Sequence, residues 1–222
     1  MTQAQPLQKL FTFDEFIEWY PDSQVRYELH NGAISEMPPA TGDHTFIILF
    51  LLQIILSASK FNKSLYPASS SVLVKTPNEP SAYIPDMLVI NQENLINEPL
   101  WKKQSTLIYP ESIPLIIEIV STNWQDDYDR KFYDYEAMGI REYWIVKDTA
   151  LDGFPGLKHV SVDYAALGGR KYIGNPKVPT IFVCELIDAE YQMTPFRGTD
   201  RIVSPTFTQL NLTAQQVFDS VS

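Results

Sequence analysis

The stretch from Pro114 to Val146, PLIIEIVSTNWQDDYDRKFYDYEAMGIREYWIV, constrains the fold of this chain more than any other. Leu115 to Val120 is an apolar strand run. Ser121 or Thr122 can cap a helix over Trp124 to Met138, and Gly139 fits the left-handed position just past its end. Glu142 to Lys147 is a second apolar strand. Two strands joined this tightly through a helix form a right-handed crossover and lie parallel.

One charge, Glu118, interrupts the first strand run, and a carboxylate buried there is costly unless something pairs with it. A second acid, Asp86, interrupts YIPDMLVI within a predicted central strand Ala82–Ile90. Side chains alternate along a strand, so Glu118 points with Ile116 and Val120, and Asp86 points with Ile84, Leu88 and Ile90. If the strands are neighbours, the two carboxylates converge at one end of the sheet. On the following helix Asp127, Lys131 and Tyr135 stand at i, i+4 and i+8 along one face, which can look back over those acids.

These residue types suit a hard metal ion. Mg²⁺ takes oxygen ligands and keeps several waters, so one or two carboxylates suffice. It acidifies a bound water and offsets charge on a transferring phosphoryl group, which a nearby lysine can also do. The residues alone leave blander alternatives open. Asp86 after Pro85 can be a turn acid, Glu118 and Lys131 a structural ion pair, and Asp127–Lys131 an exposed helix pair worth about 0.3–0.5 kcal/mol. Tyr128, Tyr133 and Tyr135 read as core and rim aromatics. His30, His44 and His159 have no mutual metal-ligand spacing, and neither a Walker A nor a G-x-G-x-x-G loop is present.

Around this centre, Thr12 can cap a helix Phe13–Tyr20, and Asn31-Gly32 signals a hairpin of Val25–His30 with Ala33–Met37. Gly42–Lys60 reads as a helix apolar nearly all round, packed on more than one side. Its most apolar run, Phe46–Leu56, is too short to span a bilayer. Short strands are expected at Ser64–Pro67 and Ser70–Lys75, and a long irregular loop at Asn91–Glu111. Beyond Asp148 the segments HVSVDY, RKYI, PTIFVCEL, EYQMTPF and RIVS read as an antiparallel meander, followed by a short helix capped by Thr213.

The chain has 222 residues, enough for one sizeable core, and the expectation is a single domain over 1–222. The formal net charge of −10 gives no bulk attraction to nucleic acid or anionic membrane, though a local basic groove is compatible with it. A single cysteine, Cys184, permits no internal disulfide and points to a reducing, cytoplasmic setting. The N-terminus has no signal-peptide pattern, and no membrane association is expected.

RYELHNG, MPPATGDH, the Pro85-Asp86 pair, EIVS at 118–121, the D-x3-K-x3-Y run at 127–135 and GIREYWIV, in this order, closely resemble the Uma2 family. These are restriction-endonuclease-like proteins of the PD-(D/E)XK nuclease superfamily, abundant in cyanobacteria. The resemblance covers nearly the whole chain. It implies an α/β restriction-endonuclease-like fold, with a central mixed sheet flanked by helices, and Mg²⁺-dependent phosphodiester hydrolysis in which Mn²⁺ can substitute. Carried over by position, Asp86 and Glu118 would bind metal and Glu28 would be the additional acid. The E-x-K position holds Val120, so the lysine is carried over to Lys131 on the next helix. The expectation is a metal-dependent DNA endonuclease, with a homodimer to cut both strands. The alternatives are a catalytically inactive nucleic-acid-binding or regulatory module that keeps the fold, and a metal-binding interaction protein.

Overall fold

A computed structural model describes residues 9–77, 80–120, 130–147 and 179–221. Two mixed sheets carry the chain. The larger runs in the order β11-β10-β9-β8-β6-β3, built from β3 (Leu65–Ser69), β6 (Met87–Asn91), β8 (Leu115–Val120), β9 (Glu142–Lys147), β10 (Thr180–Ile187) and β11 (Glu190–Phe196). The smaller runs β2-β1-β5-β4-β7, from β1 (Tyr27–His30), β2 (Ala33–Glu36), β4 (Leu73–Lys75), β5 (Ala82–Tyr83) and β7 (Thr106–Leu107).

The crossover unit forms as its sequence requires. β8 and β9 pair in parallel, with Glu118 beside Ile145. Between them runs helix α4, Phe132–Met138, entered through a π-type turn at Arg130 and Lys131. Gly139 ends the helix at φ +88°, and Ile140 donates its N–H back to the Tyr135 carbonyl. The predicted helix start before residue 130, with Asp127 and Tyr128, lies outside the described residues, as do HVSVDY and RKYI.

Strand alternation sorts the core into two layers. Leu115, Ile117 and Ile119 face helix α2 (Gly42–Ser59) and helix α5 (Ala214–Phe218), packing with Leu51, Ile55 and Val217. Ile116 and Val120 face α4, packing with Phe132, Tyr135 and Tyr143. Every residue of β8 is buried, so Glu118, with the parity of Ile116, is set within the α4 layer. Helix α1 (Phe13–Trp19), closed by a Thr12–Glu15 capping box, covers the smaller sheet with Phe13 and Phe16.

The expected single strand Ala82–Ile90 is two strands in different sheets. β5 pairs with β1 and β4, whereas β6 pairs with β3 and β8. Pro85 has no N–H for a ladder. The amides on either side of it turn to carboxylates instead: Ile84 N–H donates to Glu28 Oε1 (2.9 Å) and Asp86 N–H to Glu118 Oε2 (3.3 Å). The chain thus passes from one sheet to the other at Pro85, where Glu28 and Glu118 hold the amides on either side.

Other expectations need correction. The loop Asn91–Glu111 holds a 3₁₀ turn (Gln92–Asn97), helix α3 (Trp101–Gln104) and β7, which pairs in parallel with β4. Buried Glu98 fixes its exit by accepting the N–H groups of Ile108 (2.9 Å) and Tyr109 (3.1 Å). RIVS makes only an isolated bridge, Arg201 with Thr213, because the Arg201 guanidinium turns to the Leu210 carbonyl. Of the meander, β10 and β11 form an antiparallel hairpin, with Asp188 and Ala189 both at positive φ in its turn.

Helix α2 departs most. Ile47, Leu51 and Ile55 are fully buried, but Phe46, Leu49 and Leu56 are each more than half exposed. Among the described residues it packs on one side, not on several, against the larger sheet, α5 and the 3₁₀ turn Asp219–Val221. At 18 residues it is also longer than its apolar run, and long and apolar enough to cross a membrane by length and composition.

Candidate active site

The break at Pro85 brings together all four residues proposed from sequence. Glu118 comes from β8, Asp86 from the entry to β6, Glu28 from β1 of the smaller sheet, and Lys131 from the turn before α4. Glu28 is therefore strand-borne.

Glu118 is 2% exposed. Its Oε1 accepts from Lys131 Nζ (3.1 Å) and from the Tyr135 hydroxyl (3.1 Å). Asp86 is the most open member, its side chain 14% exposed. Asp86 Oδ2 accepts the Ile119 N–H (2.8 Å) and faces His44 Nε2 (3.0 Å). The amide of each of these strands thus reaches the acid of the other, which fixes both carboxylates side by side.

Lys131 Nζ sits between two acids, 3.1 Å from Glu118 Oε1 and 3.2 Å from Glu28 Oε1, and is almost fully buried. The other Glu28 oxygen lies 3.2 Å from His30 Nε2. Burial alone would push the Glu28 carboxyl up. The Lys131 charge, the His30 contact and the Ile84 N–H outweigh it and hold Glu28 at about 2. Around the lysine stand Tyr83, whose ring centre is 5.7 Å from Nζ, and Tyr135, edge-on to Tyr83. Burial, with the Glu118 charge beside it, keeps the Tyr135 hydroxyl well above the usual tyrosine range, so it stays a proton donor to Glu118.

Two partners were not read as site residues from the sequence. His44 stands in the first turn of α2 and His30 at the end of β1, each with Nε2 against an acid and with Nδ1 buried and unpartnered among the described residues. Strand parity held a signal for His30, two residues from Glu28 on the same face. No local pattern links His44 to Asp86, 42 positions later. Tyr135 had been placed on the right helix face, but it is a hydrogen-bonding member of the cluster rather than a simple core aromatic.

The donor set can be weighed against a metal. Among the described residues no three His, Cys, Asp or Glu side chains are grouped to enclose an ion. That does not suit zinc, which takes three or four protein ligands. Adjacent carboxylates with one oxygen to spare do fit Mg²⁺, which keeps most of its waters. Asp86 Oδ1 accepts no hydrogen bond from the described residues, and Glu118 Oε2 accepts the Asp86 N–H at 3.3 Å.

A mixed sheet presenting two acids side by side, with a lysine from the turn that enters the crossover helix, is the framework of a nuclease-like α/β protein. The same fold is seen in a crystal structure described as a putative nuclease belonging to DUF820 from Anabaena variabilis ATCC 29413, with a TM-score of 0.68. The two are 18% identical, and the likeness covers 96% of this chain and 99% of that one. The chain belongs to the Uma2 family, described as "Putative restriction endonuclease", whose model matches residues 13–215. No curated protein matches the chain.

Proposed function

We propose that this chain is a metal-dependent DNA endonuclease, with Asp86 and Glu118 as the metal-binding acids. One observation carries the reading: Asp86 and Glu118 are locked together by each other's strand amides, yet Asp86 keeps an oxygen with no partner among the described residues. Asp86 Oδ1 and Glu118 Oε2 are the oxygens that would hold Mg²⁺ or Mn²⁺. The bound ion supplies an activated water and offsets negative charge on the phosphoryl group.

The chain's own residues prepare that chemistry. His44 and the Ile119 amide hold Asp86 Oδ2 and leave Oδ1 without a partner among the described residues. Tyr135 and Lys131 fix Glu118 Oε1. Glu28 holds Lys131 beside the acids, where its positive charge stabilises the charge that builds on the phosphate during attack. The nuclease family and fold support nucleic acid as the substrate, and duplex DNA is the class proposed.

A second reading has its own observation. Lys131 bridges Glu28 and Glu118, a buried arrangement that also serves as a purely structural ion triad. A non-catalytic nucleic-acid-binding module would keep it. Incubating the purified chain with plasmid and oligonucleotide DNA, with Mg²⁺ or Mn²⁺ and with chelator, decides between them. Cleavage that needs metal and is lost in Asp86→Asn and Lys131→Ala is expected. DNA binding without cleavage under every metal condition would establish the second reading.

A further inference from the structure

The active-site reading leaves the outer face of α2 unused. Phe46, Leu49, Gln53, Leu56 and Lys60 follow one another at spacings of three, four, three and four, and all five are exposed. That alternation is the seam of a helix pair, with its apolar positions broken once by a polar glutamine. Phe46 is 58%, Leu49 55% and Leu56 53% exposed, so the stripe is open along most of its length. The groove between α2 and α5, where Phe50, Ile54 and Leu212 meet polar Asn211, Gln216 and Asp219, borders it.

The charges say what covers this face. Between Asp43 and Lys60 the helix carries no Asp, Glu, Lys or Arg, so a partner can approach without burying a charge. The acidic residue stands at the helix start, and Lys60 and Lys63 stand at its end. Two copies of this helix laid antiparallel bring Asp43 of each over the basic end of the other. Laid parallel, they would set like charges together. Phe46 of one copy then packs near Leu56 of the other, and Leu49 beside Gln53, in a self-complementary contact of the kind twofold dimers use. A lipid occupant fits less well. The opposite face of α2 holds Ile47, Leu51 and Ile55 on the sheet, so the helix cannot enter a bilayer without uncovering the core. The net charge of −10 also opposes an anionic surface.

We infer that the chain is a twofold dimer in solution, joined by an antiparallel pair of α2 helices along the Phe46–Leu49–Gln53–Leu56 seam. His44 lies in the first turn of the same helix, so the dimer fixes two copies of the Asp86 site at opposite ends of the pair.

Sedimentation equilibrium of the full chain tests this without reference to cleavage. The wild type is expected at twice the 25.4 kDa chain mass. Leu49→Glu and Leu56→Glu, both at exposed positions, are expected as monomers with unchanged circular dichroism. Asp43→Lys should weaken the dimer by about tenfold through like-charge contact with the partner's lysines. Adding Lys60→Asp in the same chain should restore it. A monomeric wild type at high micromolar concentration overturns the proposal. So does a dimer that survives both glutamate variants, or wild-type monomer that floats with phosphatidylcholine vesicles. A charge reversal without rescue overturns the antiparallel arrangement.

Discussion

Lys131→Met removes the only cation described between Glu28 and Glu118 and leaves a side chain of similar length in a site 4% exposed. Two buried carboxylates then lose their common partner, and stranding buried charge in this way costs about 3–5 kcal/mol. The pH dependence is the sharper test. In the wild type Glu28 is held at about 2, against an ordinary value of 4.5. A carboxyl depressed by folding contributes stability that is present above its unfolded pKa and is lost as pH falls through its folded pKa. The difference corresponds to about 3 kcal/mol, lost between about pH 4.5 and pH 2. Without Lys131 the favourable charge is gone and burial dominates, so the Glu28 carboxyl moves upward instead. The folded variant then binds protons more tightly than the unfolded chain, and its stability rises as pH falls from about 7 towards 5. Urea melts of both proteins, followed by circular dichroism from neutral to mildly acidic pH, read the two slopes directly. A variant less than about 1 kcal/mol weaker at neutral pH, or one whose deficit stays constant as pH falls, would refute the account of Lys131 as the buried counter-charge.

Millimolar Mg²⁺ or Mn²⁺ should raise the melting temperature, since an ion that binds only the folded state stabilises it by about 2.7 kcal/mol at a hundred times its dissociation constant. Asp86→Asn keeps an acceptor for the Ile119 N–H but should lose that response, and an equal shift in the variant would remove Asp86 from the metal site. Tyr135→Phe deletes one of the hydrogen bonds to Glu118 Oε1 and is expected to lower stability by about 1–2 kcal/mol and to slow any metal-dependent cleavage. Unchanged stability in denaturant melts would mean the hydroxyl is idle. Gly32→Ala should destabilise by about 1–2 kcal/mol, because φ is +81° and the new Cβ would stand 3.0 Å from Leu10 Cβ and 3.1 Å from the Phe11 carbonyl oxygen. Asn31→Ala, at φ +48° in the same turn, should cost less, and equal losses at both positions would discount the contacts with Leu10 and Phe11.

How much of this was legible in the chain follows from how local each signal is. The crossover unit could be read because strand, helix, Gly139 stop and strand are contiguous, and each choice agrees with the next. Glu118 and Asp86 could be paired because strand parity survives translation into space. The break at Pro85 could not be seen, since Ala82–Ile90 is apolar on both sides of it and nothing local shows that Glu28 and Glu118 will receive its amides. β7 is two residues long and carries no periodicity, so its pairing with β4 is purely tertiary. His44 reaches Asp86 only through the docking of α2. The exposed side of that helix was misjudged because composition shows how apolar a face is and says nothing of what lies against it.

The carboxylates at Pro85 serve the backbone before they serve any substrate. Glu28 and Glu118 terminate two strands by accepting amides that a proline-interrupted ladder leaves over. Natural selection on folding alone would therefore hold both glutamates in place, and with them the lysine that neutralises them. A relative that had abandoned hydrolysis would go on displaying the same glutamates and lysine. Under the proposed metal role the informative position is Asp86, whose Oδ1 has no partner among the described residues. On the proposed reading, the exchange of that one aspartate for asparagine among relatives would mark the passage from enzyme to scaffold.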